Sequence, residues 1–154
     1  MELVFDTNRA DVASIEAHLE ICDTHFVPHL SKVVDLAAYA TKLLSQGLLF
    51  EAWLGGRIVG LVAGYANDPQ HEDSFISNVS ILPDWHGQGV ANQLLSTFID
   101  HVRNKGFTRV VLKVDARNDR AQSLYRKHGF INGPSEGNVL EMRLELRTKN
   151  DHET

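Results

Sequence analysis

The chain has 154 residues, of which 43% are hydrophobic and 23% charged, and a formal net charge of −5; these are values of one soluble globular domain able to bury about two-thirds of its unfolded surface. The negative balance argues against a nucleic-acid partner held through its phosphates. No apolar run nears the roughly eighteen residues of a membrane span. The single Cys22 and the absence of secretory blocks in Met1–Ala10 predict a cytoplasmic protein without an internal disulfide.

Glu2–Phe5 reads as a short strand, and Ala10–Cys22 carries Val12, Ile15, Leu19 and Cys22 at helical spacing. Pro28 interrupts HFVPHLSKVVD, after which Leu36, Tyr39, Ala40, Leu43 and Leu44 predict a second helix closed by Gly47. Leu48–Leu54 and Arg57–Tyr65 are β-rich runs around the Gly55-Gly56 pair, the pattern of a hairpin. Ser74–Leu82 is a further strand. Val90, Ala91, Leu94, Leu95, Phe98, Ile99 and Val102 then form the apolar stripe of a helix ended by Gly106. Thr108–Val114 reads as a buried strand, Asp119–His128 as a short helix closed by Gly129, and Val139–Leu146 as a final alternating strand, with Phe130 starting one more. The predicted class is α/β, a mixed sheet covered by about four helices, forming one domain over 1–147 with a polar tail over 148–154.

The stretch PDWHGQGVANQLL, Pro83–Leu95, places two glycines where a strand runs into a helix. Helix N-termini leave N–H groups unsatisfied and carry partial positive charge, so a glycine turn there suits a phosphate. A tight connection with no ligand is the plainer reading. The P-loop pattern fails because Val90 and Ala91, not Lys and Ser or Thr, follow Gly89. The dinucleotide fingerprint lacks its third glycine, since Asn92 stands there, although Asp115 at the end of the next strand matches the ribose acid.

VSILPDWHGQGVANQLL resembles the acyl-CoA signature of the GNAT superfamily of N-acetyltransferases, with His86 in the Arg or Gln position, Gly89 in the Gly position and Ala91 in the last. NDRAQSLYRKHGF, Asn118–Phe130, is similar to the second cofactor segment of that family. The resemblance implies a mostly antiparallel sheet splayed at a cofactor cleft, acetyl-CoA as co-substrate and no metal. It implies main-chain bonds from Ser80 and Ile81 to pantetheine, and a pyrophosphate wrapped by Gly87, Gln88, Gly89, Val90, Ala91 and Asn92, with His86 beside it. Asn118 would meet the pantetheine arm, and Tyr125, also at the cofactor, would be the general acid for the departing thiolate. A main-chain N–H near Ile81 would stabilise the oxyanion. The implied reaction is acetyl transfer to a primary amine of a small-molecule acceptor by direct attack in a ternary complex. A homodimer, joined through strand edges at the cleft and at Val139–Leu146, is the expected assembly.

Plainer roles stand beside these. Asn118 is also a good helix N-cap; Tyr125 lies on the apolar stripe Ala121, Leu124, Tyr125 and His128 and suits a core; His86 suits a solvated loop; His128 suits the last turn as a cation. His25 and His29 are four apart, but Pro28 between them spoils a helical metal site, and Cys22 reads as a buried small residue. Lys113 stands where family members acting on protein N-termini carry Glu. Asp115, Glu72 and Asp73 are candidate bases, none marked by spacing. Phe26, Pro28 and Leu30, with the loop between Asn132 and Val139, are the expected acceptor walls. Two rival readings remain: a non-catalytic acyl-CoA-binding module, and a dinucleotide-binding protein recognised by NAD binding.

Overall fold

The computed structural model describes residues 2–146, so the expected tail over 148–154 lies outside the described residues. In chain order the elements are β1 (Val4–Thr7), α1 (Val12–Cys22), α2 (Leu36–Gln46), β2 (Leu48–Leu54), β3 (Arg57–Tyr65), β4 (Asp73–Ile81), α3 (Val90–Asn104), β5 (Arg109–Asp115), α4 (Asp119–Lys127), β6 (Ile131–Glu136) and β7 (Val139–Glu145). The strands form one seven-stranded sheet in the order β1-β2-β3-β4-β5-β7-β6. All neighbours are antiparallel except β4 and β5, which makes the sheet mixed and mostly antiparallel as expected.

The apolar spacing of the helices decides which face each covers. Ile15 and Leu19 of α1 and Ala40 and Leu43 of α2 pack on Leu49, Trp53 and Leu61 on one face. Leu94, Leu95, Phe98 and Val102 of α3 pack on Phe50, Val62, Val110 and Leu112 on the other, where Tyr125 of α4 joins them. Each fully buried side chain of this size contributes roughly 1.5–3 kcal/mol. The entry into α1 is fixed by the fully buried Glu51 carboxylate, which accepts the Arg9 and Ala10 N–H groups and Trp53 Nε1.

Three expectations change. β1 starts two residues later than the apolar run suggested. The strand expected to start at Phe130 is β6, which runs on through most of the loop expected between Asn132 and Val139 as an edge strand carrying Gly133 and Pro134 at a register shift between Asn132 and Ser135. Edges tolerate a proline because its missing N–H is not needed there. β7 is consequently no edge: β5 flanks it on one side and β6 on the other, which removes the pairing surface assumed for a homodimer at Val139–Leu146.

Candidate active site

β4 and β5 pair only from Asp73↔Arg109 to Ile76↔Leu112. At that point β4 also carries a bulge, because Ala63 pairs with Asn78 and Gly64 with Ile76, leaving Ser77 as the extra residue. An extra residue bends its strand, and the two strands part to open a cleft of about 780 Å³. Leu82 N–H donates to Val59 of β3, and alternation along the strand therefore turns the main chain of Val79 and Ile81 away from β3. The same alternation turns the Ser80 main chain toward β3, and Ser80 also lines the cleft. Ile81 keeps its N–H toward the cleft.

The turn after β4 lies against this opening. Gly87 and Gly89 have φ of +77° and +81°, and no atom lies within 4 Å of where a Cβ would stand on either. The left-handed conformation favours glycine, and the space beyond it is free. Asp11, Asp35 and Asn118 cap α1, α2 and α4 with their side chains, whereas α3, with Gly89 at its N-cap, has no side-chain cap and no acidic residue in its first turn. Its first N–H groups are left for an outside acceptor. Arg120 and Lys127 of α4, which the sequence did not mark, line the same cleft.

His86 is not a free loop residue: its Nε2 donates to Ile81 O at 2.8 Å and its ring meets His25 edge-on, centroids 5.5 Å apart. At His128 the surroundings work against the expected cation. Burial lowers its pKa, and its Nε2 lies 3.0 Å from Asn92 Oδ1, tying the two cofactor segments together. Asn118 caps α4 through Oδ1, which accepts Ala121 N–H at 3.1 Å, and no partner for its amide nitrogen is found among the described residues. Tyr125 is 8% exposed, packs on Phe130 and lines the cleft; burial pushes its phenol up to about 12, so it stays protonated.

On the α1–α2 face, His18 was overlooked although it shares the stripe of Ile15, Leu19 and Cys22. Its Nδ1 donates to Ile58 O at 3.0 Å, and its Nε2 lies 2.9 Å from Ser80 Oγ and 3.7 Å from Cys22 Sγ. The Ser80 hydroxyl also lies 2.7 Å from Asn78 Oδ1, so a single proton serves two acceptors. Burial drives His18 down to about 4 and Cys22 up to about 12, and both are neutral. Tyr39 of α2 places its hydroxyl 2.6 Å from Ser77 Oγ and 3.2 Å from Ser77 O, at the bulge. The two N-terminal helices thus grip the splayed strand.

Cleft walls on this side come from Phe26, Val27 and Leu30, and Pro28 and the Asn132–Val139 segment are not among them. Asp23–His25 is a single 3₁₀ turn followed by extended backbone at Phe26, so His25 and His29 do not share a helix face. Of the candidate bases, Glu72 and Asp73 lie at the paired end of β4, where Asp73 meets Arg109 at 3.1 Å. Asp115 is held by Arg117 Nε and Nη2 at 2.8 and 2.7 Å, which depresses its pKa to about 2.

The family model described as acetyltransferase (GNAT) family matches residues 14–130. An uncharacterized N-acetyltransferase of Mycobacterium tuberculosis is 39% identical over 98 residues, covering 63% of this chain and 58% of that protein's length. The chain thus aligns with little more than half of those relatives. The ribosomal-protein-S18-alanine N-acetyltransferase of Escherichia coli superposes with a TM-score of 0.74 at 18% identity, covering 96% of both chains. The PaiA N-acetyltransferase of Thermoplasma acidophilum, in complex with coenzyme A, does so with 0.74 at 15% identity, over 94% of this chain and 99% of its own. At such identities the likeness is one of fold.

Proposed function

Because this chain belongs to the GNAT family of acetyltransferases, we propose that it moves an acetyl group from acetyl-CoA to the primary amine of a small-molecule acceptor, by direct attack in a ternary complex. The observation that carries this reading is the uncapped start of α3 behind two left-handed glycines at the mouth of a split sheet. Such an end binds anions. The pyrophosphate meets the amides of Gly87 to Asn92, with Gln88 and Val90 in the same turn and Ala91 in the first helical turn, and Arg120 and Lys127 add positive charge on the same wall. His86 supports the turn by holding Ile81 O. The coenzyme A held by the Thermoplasma acidophilum protein supports the same ligand class.

Pantetheine adds to the free edge of β4 through the Val79 main chain, and the Asn118 amide meets its arm. The acceptor attacks from the α1–α2 face as a neutral amine, the Ile81 N–H stabilises the oxygen as it becomes negative, and the C–S bond breaks as the amide forms, the proton released by the nitrogen passing to water in the open cleft. Tyr125 then donates to the departing sulfur. With its phenol near 12 against a free thiol near 8.5, complete transfer is uphill, so its contribution is a strong hydrogen bond and falls toward the lower end of the roughly 10²–10⁴ available to a positioned acid.

Free thiol release from acetyl-CoA with a panel of amino acids, amino sugars, polyamines, aminoglycosides and peptides tests the reading, alongside thermal shifts with acetyl-CoA and NAD. Acetyl-CoA is expected to raise the melting temperature and at least one amine to release thiol. Stabilisation by NAD and not by acetyl-CoA would overturn it.

A further inference from the structure

The acceptor side of the cleft has an unequal charge. Val110, Leu112 and Val114 of β5 pack into the α3 cluster, and alternation puts Val111, Lys113 and Asp115 on the opposite face, that of α1 and α2. Lys113 is exposed on that face and lines the same cleft as Phe26, Val27 and Leu30. Both carboxylates near it are already engaged. Asp115 is clasped by Arg117, and Glu141, the cross-strand neighbour of Lys113, takes Arg143 Nε at 2.7 Å. Among the described residues Lys113 has no ion-pair partner. His25 also lines this side, and no free carboxylate is found there among the described residues.

A polyamine or aminoglycoside brings several positive charges and needs carboxylates to receive them; this wall offers a cation and apolar side chains instead. Resting on the acetyltransferase reading above, we infer that the acceptor is a small amine bearing a carboxylate on an apolar body, an amino acid, and that Lys113 pairs with that carboxylate. The same cation disfavours a second positive charge nearby and so favours the neutral amine that attack requires. The residue that stands where family members acting on protein N-termini carry Glu thus acts as an anchor for specificity.

The test compares phenylalanine and leucine with their amides as acceptors, in the wild type and in Lys113→Gln and Lys113→Glu, reading kcat/KM by thiol release. The amide keeps the amine and the side chain and lacks only the anion. The ratio of acid to amide is expected to fall about tenfold to a hundredfold in Lys113→Gln, the range for a hydrogen bond to a charged group, and further in Lys113→Glu. Acetyl-CoA affinity and melting temperature should stay near wild type in both, because Lys113 is exposed and lies on the face away from α3. An acid-to-amide ratio unchanged by both substitutions overturns the inference. So does a wild type that binds acetyl-CoA and acetylates neither amino acid but does acetylate a polyamine; in that case the acetyltransferase reading stands. No binding of acetyl-CoA at all would remove both.

Discussion

Replacing His18 with Gln should make the fold markedly less sensitive to mild acid. The wild-type imidazole is buried between Ile58 O and Ser80 Oγ and holds its pKa near 4, against an ordinary value of 6.5. Below pH 6.5 the unfolded chain takes up a proton at this ring, while the folded chain does not until the pH nears 4, so stability is lost as pH falls through that window. A difference of 6.5 to about 4 at 1.36 kcal/mol per unit corresponds to about 3 kcal/mol, present in full above pH 6.5. The Asp carboxylates with lowered pKa values act at lower pH, and the histidines His101 and His128 are common to both proteins, so the difference isolates His18. Urea unfolding midpoints at pH 7, 6, 5 and 4.5 give the measurement. The wild type should lose most of the 3 kcal/mol relative to His18→Gln, whose starting stability is lower. Parallel pH dependences would refute the buried neutral imidazole; if the Gln variant fails to fold, His18→Asn, which keeps a donor toward Ile58 O, takes its place.

Tyr125→Phe keeps the ring on Phe130 and should lower kcat by about a hundredfold with the melting temperature nearly unchanged; full activity would return Tyr125 to the core. Asn118 separates its two roles by substitution: Asn118→Asp keeps the cap on Ala121 N–H and should raise the KM for acetyl-CoA without loss of stability, whereas Asn118→Ala should also cost about 1 kcal/mol in chemical denaturation. Tyr39→Phe removes the hydroxyl that holds Ser77 at the bulge and should lower kcat several-fold while leaving the acetyl-CoA affinity, read by calorimetry, as in the wild type.

Most elements were legible because their signals are local. The stripe from Val90 to Val102 and the positive-φ glycines at 87 and 89 both reflect requirements of single segments, and so the turn and its helix were found together. β6 was legible only at its start, the strand expected from Phe130, because Asn132, Gly133 and Pro134 have poor strand propensity and pairing with β7 is what carries the strand on through them. The bulge at Ser77 and the point where β4 leaves β5 are properties of paired strands, and only the family resemblance hinted at the splay. His18 did carry a readable signal, a polar residue on the apolar stripe of Ile15, Leu19 and Cys22, but its partners lie 40 and 62 residues away in sequence. The candidate bases failed for the same reason: the clasp of Arg117 on Asp115, and the distance of Asp73 from the open end of β4, exist only in three dimensions.

Calorimetric titration of acetyl-CoA into the wild type and into Gly89→Val tests the central claim most directly. At φ of +81° a β-branched side chain strains the turn, and its atoms enter the open space beside the first amides of α3. The wild type should bind one acetyl-CoA per chain, and the variant, if its melting transition shows that it folds, should bind at least tenfold more weakly. Equal affinity in the two proteins, or a wild type that binds no acetyl-CoA, would contradict the assignment of the α3 N-terminus as the pyrophosphate site.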